Sequence, residues 1–128
     1  MKQIFFKDIN GFVCSNLTKN RNLVIEKNIP KEGGISGKVV ENLANDMIAH
    51  IYKKTQGKYT IIGVGGIFSP EDAYKKIRLG ASLVQLITGM IFQGPQLISS
   101  INIGLVELLK KDGFNSIKEA IGVDINFS

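Results

Sequence analysis

Short apolar runs alternate with segments of helical periodicity along this chain, and that alternation constrains the fold more than any other feature. The runs cover residues 11–16, 60–64 and 82–87. The second and third are short, β-branched and nearly continuous, which is typical of strands covered on both faces. Strands that alternate with helices form βαβ units with parallel strands. With 128 residues, the sequence predicts a single α/β domain over residues 1–128.

Helical periodicity predicts one helix near residues 39–54 and another near residues 96–111. The side chains expected to face the core are Leu43, Met47, Ile48 and Ile51 in the first helix, and Leu97, Ile98, Ile101, Leu105, Leu108 and Leu109 in the second. Capping signals predict a third helix near residues 70–79, because Ser-Pro-Glu-Asp opens it and Gly80 follows it. Ser-Ile-Lys-Glu at residues 116–119 predicts a capping box on a short last turn.

Two glycine-containing loops follow neighbouring predicted strands. Gly-Val-Gly-Gly-Ile occupies residues 63–67, and Thr88-Gly89 follows the third strand. The carboxyl ends of parallel strands are where ligands bind, and amides near a helix N-terminus suit a phosphate. The sequence therefore predicts a site for a phosphorylated ligand. A dinucleotide fingerprint is disfavoured, because Phe68 stands where that motif needs Gly or Ala.

The long segment between the first predicted strand and helix leaves its role open. It carries Gly-Gly-Ile-Ser-Gly at residues 33–37, a sequence suited either to close approach of a ligand or to a flexible turn. Asn16, at the end of the first strand, either faces the predicted site or begins a turn.

The single cysteine and the single histidine limit the disulfide, metal and nucleophile chemistry that the sequence predicts. A single cysteine forms no internal disulfide, and no Cys/His cluster is present to bind zinc, so we expect no metal site and a cytoplasmic protein. Cys14, inside a strand, is better explained as a buried inert thiol than as a nucleophile. His50 lies within a predicted helix and is expected at the surface or its boundary.

The net charge of +5 comes from 16 Lys and Arg against 11 Asp and Glu. The lysines are scattered among acids, which indicates a solvated surface rather than a nucleic-acid site. The apolar run at residues 4–6 is too short for a signal peptide or a membrane span, so we expect no membrane segment in this chain.

Five ordered motifs, at residues 11–16, 33–37, 61–67, 80–85 and 89–95, resemble those of the quinone-linked class of dihydroorotate dehydrogenases. The resemblance covers the carboxyl-terminal part of that family, the last three βα units of a flavin-binding TIM (β/α)₈ barrel. It implies an FMN cofactor and the substrate pair dihydroorotate and orotate. The family's catalytic serine and lysine belong to earlier barrel units, so the resemblance assigns no catalytic residue to this chain.

The resemblance assigns site residues where motif positions match. Those implied to contact FMN are Ser15, Gly37, Gly65, Gly66, Ile87, Thr88 and Gly89, and those implied to contact substrate are Asn16 and Leu17. Ser15 keeps the hydroxyl of a family threonine. Leu17 replaces a threonine and cannot donate its hydrogen bond. Ile87 replaces the usual tyrosine, a change that a backbone contact to FMN would tolerate.

A partial barrel would leave an apolar sheet face and two strand edges uncovered. We therefore expect either a homo-oligomer, with residues 3–6 as an added strand, or a complex with a chain that carries the earlier barrel units. Two functions remain open. The chain is one component of a split dihydroorotate dehydrogenase, or it is a non-catalytic, self-associating remnant with phosphate or flavin affinity.

Overall fold

The computed structural model of the protein describes residues 8–128, which form a parallel three-stranded sheet with helices on one face. Its strands are β1 (Gly11–Cys14), β2 (Thr60–Val64) and β3 (Leu83–Gln85), in that spatial order. The alternation of strands and helices correctly predicted an α/β domain with this parallel sheet. The predicted additional strand at residues 3–6 lies outside the described residues.

Five α-helices and two short 3₁₀ turns complete the described part of the chain. The α-helices are α1 (Glu41–Thr55), α2 (Pro70–Arg78), α3 (Thr88–Gln93), α4 (Gln96–Lys111) and α5 (Ile117–Ala120), and the 3₁₀ turns are Arg21–Leu23 and Lys38–Val40. The sequence did not predict α3, because six residues are too few to show a helical period. No helix within residues 8–128 is both long and apolar enough to cross a membrane.

Of the two predicted helix N-caps, the one at α2 forms and the one at α5 does not. At α2, the Ser69 hydroxyl accepts a hydrogen bond from the Asp72 amide at 3.2 Å, and Pro70 is the first helical residue, as predicted. The capping box predicted at α5 is wrong, because the Ser116 side chain makes no capping hydrogen bond. The Glu119 carboxylate instead accepts from the Asn115 amide at 2.7 Å, one residue before the cap position.

Two hydrophobic clusters fill the space between the sheet and the helices. One lies among α2, α4 and α5 and contains Ile67, Ala73, Tyr74, Ile77, Leu97, Ile101, Leu105 and Ala120. The other joins β1, β2 and α1 and contains Cys14, Ile48, Ile61 and Ala81. The prediction that Cys14 is a buried thiol is confirmed, with 3% exposure, and burial raises its pKa above the ordinary value.

Three predicted core residues are instead exposed: Leu43 by 43%, Met47 by 42% and Ile98 by 48%. On α1, the buried positions are Ala44, Asn45 and Ile48. Asn45 contacts α2, and Leu43 and Met47 each lie about 160° around the helix axis from it. These two side chains therefore point away from α2, toward a side that no described helix covers.

The sheet face opposite the helices carries a row of aliphatic residues. Val13 pairs with Ile62, and Ile62 pairs with Leu83, so the three side chains lie side by side across the sheet. Val13 is 63% exposed and Leu83 is 59% exposed. The expectation that the third strand is covered on both faces is therefore wrong for the described chain, because its helices pack against one face only.

Arg78 fixes the segment after α5 to α2. Its guanidinium donates two hydrogen bonds to the Asp124 carboxylate, at 3.0 and 2.6 Å, and a third to Asp112 at 2.7 Å. The Asp124 amide in turn donates to the Arg78 carbonyl at 3.1 Å. A planar guanidinium is suited to this two-pronged contact with a carboxylate.

Candidate functional site

A pocket of about 150 Å³ opens at the carboxyl edge of the sheet. It brings together all nine residues that the resemblance assigned to cofactor and substrate, namely Ser15, Asn16, Leu17, Gly37, Gly65, Gly66, Ile87, Thr88 and Gly89. The parallel register explains this convergence, because Cys14 pairs with Gly63, and Val64 pairs with Gln85. The residues that follow each strand therefore meet at one edge.

The long segment after β1 closes one side of the pocket. It is anchored by an antiparallel bridge between Thr18 and Ile35, with hydrogen bonds of 2.8 and 3.0 Å. Next to that bridge, the Ser36 and Thr88 hydroxyls lie 2.9 Å apart and share a hydrogen bond. Ser36 belongs to the Gly-Gly-Ile-Ser-Gly sequence at residues 33–37 but was not among the predicted site residues. That motif therefore lines the pocket instead of serving only as a turn.

Gly66 shows how closely the pocket wall is packed. Its backbone has a φ of 73°, in the region that favours glycine. A Cβ atom at this position would lie 2.5 Å from the Cβ of Glu41 and 2.7 Å from its Cα. Only a residue without a side chain lets the loop after β2 rest directly on the start of α1.

Two side chains hold the backbone of Phe68, which also lines the pocket. The Asp72 carboxylate accepts from the Phe68 amide at 2.9 Å, and the Gln93 side chain donates to the Phe68 carbonyl at 3.1 Å. The other Asp72 oxygen accepts from the Lys38 ammonium at 2.5 Å, and Lys38 also pairs with Glu41 at 2.8 Å. From the sequence, Asp72 was expected only to help begin the predicted helix, as the last residue of Ser-Pro-Glu-Asp.

These contacts determine the ionisation of Asp72. Burial raises the pKa of its carboxyl, but hydrogen bonds from Lys38 and from the Phe68 amide outweigh burial and hold it below the ordinary 3.8. For Lys38, burial lowers the pKa, but the hydrogen bonds to Asp72 and Glu41 outweigh it and raise the pKa above its ordinary value. Both groups are therefore charged at neutral pH.

The first turn of α3 supplies amide donors at the pocket. Thr88 and Gly89 line it, and with Met90 they open the helix, so their amides have no acceptor within the helix. Such amides are suited to an anion. None of the described residues that line the pocket is acidic.

The substrate candidates lie at the β1 side of the same pocket. The Asn16 side-chain oxygen accepts from the Leu17 amide at 2.7 Å, and Asn16 lines the pocket without beginning a turn. Leu17 is 54% exposed and Ile87 is 61% exposed. The peptide bond between Cys14 and Ser15, just before this edge, is cis.

Two further predictions from the sequence concern His50 and a metal site, neither of which involves the pocket. His50 is exposed on α1, as predicted. Within residues 8–128, no group of three His, Cys, Asp or Glu side chains is placed to hold a metal ion.

Comparisons with known proteins identify the family. The family model described as dihydroorotate dehydrogenase matches residues 2–109, and the chain belongs to this family. It is 48% identical over 118 residues to the mitochondrial dihydroorotate dehydrogenase (quinone) of Arabidopsis thaliana, covering 91% of this chain and 26% of that protein. It is 43% identical over 123 residues to the dihydroorotate dehydrogenase (quinone) of Trichodesmium erythraeum, covering 90% of this chain and 32% of that protein.

A solved structure is similar over the same range. The ligand-free dihydroorotate dehydrogenase of Eimeria tenella superposes with a TM-score of 0.81 at 33% identity, covering 91% of this chain and 33% of that chain. The chain thus spans about a third of the length of the relatives it matches.

The Asp72 contacts predict a pH-dependent contribution to stability. Asp72→Asn should lower the free energy of unfolding at pH 7 by about 1–2 kcal/mol, because the charge-assisted bond to Lys38 is lost. The folded-state pKa is lowered, so this contribution is present above pH 3.8 and is lost as the pH falls through the folded-state value. Urea unfolding from pH 7 to pH 3 measures the difference.

Glu71→Gln is the control for Asp72→Asn, because Glu71 is an exposed acid at the adjacent position and loses the same charge. It should change stability little at any pH. Equal effects of the two substitutions would contradict the role given to Asp72.

Proposed function

We propose that this chain forms the carboxyl-terminal part of a flavin-binding (β/α)₈ barrel and that its pocket holds the phosphate end of FMN. The activity it would serve is the oxidation of dihydroorotate to orotate in pyrimidine biosynthesis. The proposal rests on one observation: the loop at residues 65–68, which contains Gly66, and the first turn of α3 line the same pocket at the carboxyl edge of the sheet.

The uncovered apolar surfaces support a partial barrel. In a (β/α)₈ barrel, the inner sheet face is filled by side chains, and each helix packs between two neighbours. The row of Val13, Ile62 and Leu83 lies on the face that would be interior. The exposed Leu43 and Met47 lie on the side of α1 where a preceding helix would pack.

The pocket's size and lining fit one end of the cofactor. Small-molecule pockets typically enclose about 300–1,000 Å³, and about 150 Å³ is open here. The pocket can therefore enclose only part of a flavin nucleotide. Amides of α3, together with the one hydroxyl proton that the Ser36–Thr88 hydrogen bond leaves free, would supply donors for a phosphate, and the absence of acids among the described lining residues avoids repulsion.

The chain's own residues would bind and orient ligands rather than perform the chemistry. FMN, when bound, supplies the hydride acceptor. Asn16 would present its side-chain amide to the substrate, whereas Leu17 offers only apolar contact there. No catalytic residue is proposed within this chain.

A second candidate function is a non-catalytic, self-associating domain that retains phosphate or flavin affinity. Leu17 and Ile87 favour it, because both replace polar side chains expected at the site. Under either function, the uncovered surfaces favour a second copy or a chain that carries the earlier barrel units as partner. Cytoplasmic location stays part of the proposal and rests on the cysteine usage.

Flavin binding by the purified chain tests the cofactor proposal. FMN should bind about tenfold or more tightly than riboflavin, because only FMN carries the phosphate that the charge-assisted hydrogen bonds require. Gly66→Ala should weaken FMN binding by a similar factor, because the added methyl group forces the wall away from Glu41. Quenching of flavin fluorescence measures both affinities.

Gly113→Ala is the matched control for Gly66→Ala. Gly113 has a similar φ of 80° but open space around it, and it does not line the pocket. FMN affinity should survive this substitution. Equal binding of FMN and riboflavin, or no binding of either, would refute the phosphate site.

Self-association is tested by the mass in solution. Light scattering at micromolar concentration should give more than 14.0 kDa, because the exposed aliphatic row favours burial against another chain. Leu83→Lys should lower the mass by placing a charge in that row. Ile25→Lys is the control, since Ile25 is fully exposed on the segment after β1. A monomeric mass for the unsubstituted chain would contradict the expectation.

A further inference from the structure

Lys76 is the only fully buried charged residue in the described part of the chain, with 0% exposure. It lies on α2, and its ammonium donates to the Asn45 side-chain oxygen on α1 at 2.6 Å. Its aliphatic stem passes close to Gly63 of β2, where a Cβ atom would lie 3.1 Å from the Lys76 Cδ. The other polar atom of Asn45, its buried Nδ2, has no partner among the described residues.

Burying an amino group is costly, so its surroundings indicate what maintains it. Burial lowers the pKa of Lys76 to about 8, against the attraction of Glu41 and Asp72, and Lys38 and Lys75 lower it further. Lys76 is therefore still a cation at pH 7. Together with Lys38, it balances the two carboxylates that lie behind the pocket wall.

That group of charges touches the pocket wall at three points. Lys38 directly follows the lining residue Gly37. The start of α1 at Glu41 lies against Gly66, and the Asp72 carboxylate holds the Phe68 amide. The Lys76–Asn45 bond fixes α1 to α2, and these are the helices from which Glu41 and Asp72 reach the wall.

We propose that Lys76 is a positioning residue for the pocket: through Asn45 it fixes α1 against α2, and its charge balances Glu41 and Asp72 behind the loop at residues 65–68. Its effect on FMN rests on the proposed function. Its effect on the loop does not, and this effect can be measured without a ligand.

Amide hydrogen exchange at pH 7 tests the proposal. In Lys76→Met, the Phe68 amide should exchange about tenfold faster relative to the Leu105 amide of α4, because the Asp72 carboxylate loses its fixed position. Lys75→Met is the matched control, since Lys75 is an exposed lysine on the same helix. A merely structural role would accelerate both amides by one factor through global unfolding. That result, or an unchanged Phe68 amide, would overturn the proposal.

A double substitution keeps the test decisive if Lys76→Met does not fold. Asn45→Leu with Lys76→Met replaces the polar pair with apolar side chains and leaves no orphaned buried group, a change that proteins often tolerate. The Phe68 amide should still exchange faster relative to Leu105. Retention of its original protection would overturn the proposal.

Measuring FMN affinity distinguishes the proposed FMN site from the positioning role of Lys76. The affinity of the unsubstituted chain should exceed that of Lys76→Met at pH 7, and the ratio should shrink as the pH rises to 9 and Lys76 loses its proton. A constant ratio would count against the charge-balancing role. If the unsubstituted chain binds no FMN, the proposed function fails, and the exchange of Phe68 alone decides the role of Lys76.

Discussion

The amide of Ser15 donates to the carbonyl of Val64 at 3.1 Å, and this bond continues the parallel pairing of β1 with β2 beyond the last residue of β1. Parallel pairing brings the carboxyl ends of all three strands to one edge of the sheet. Residues separated by dozens of positions, such as Ser36 and Thr88, then meet through side-chain hydroxyls. The rest of the pocket depends on this register, because a slip of one residue would turn every strand side chain to the opposite face.

Behind the pocket, a charged side chain joins two helices that elsewhere in the fold would be joined by hydrophobic packing. The helices α2 and α4 meet through aliphatic side chains, whereas α1 and α2 meet through Asn45 and Lys76. Substitution of either residue of the polar contact is destabilising, because it leaves the other buried polar group without a hydrogen-bond partner. The contact also has a direction that apolar packing lacks, because the Lys76 ammonium must point at the Asn45 oxygen.

The sequence predicted those features that local chemistry determines. The Ser69 cap, the start of α2 at Pro70 and the parallel strands follow from short-range signals, and the family resemblance selected residues that do meet in one pocket. Features that depend on the neighbours in space were missed. Leu43 has the periodicity of a core residue but lacks a covering helix, and the fully buried Lys76 looks like any surface lysine in a run of Lys-Lys.

The described residues form a pocket at the carboxyl edge of the sheet and leave an apolar sheet face uncovered. Both features agree with the chain's match to about a third of the length of its relatives. Our proposal places the phosphate of FMN between the loop at residues 65–68 and the first turn of α3.

The most direct test of that placement is a ¹⁵N-resolved NMR titration of the purified chain with FMN, with riboflavin added to a second sample. FMN should shift the amide resonances of Gly66, Thr88 and Gly89, whereas riboflavin should leave these three largely unchanged. Shifts confined to other regions, or the same shifts with riboflavin, would contradict that placement.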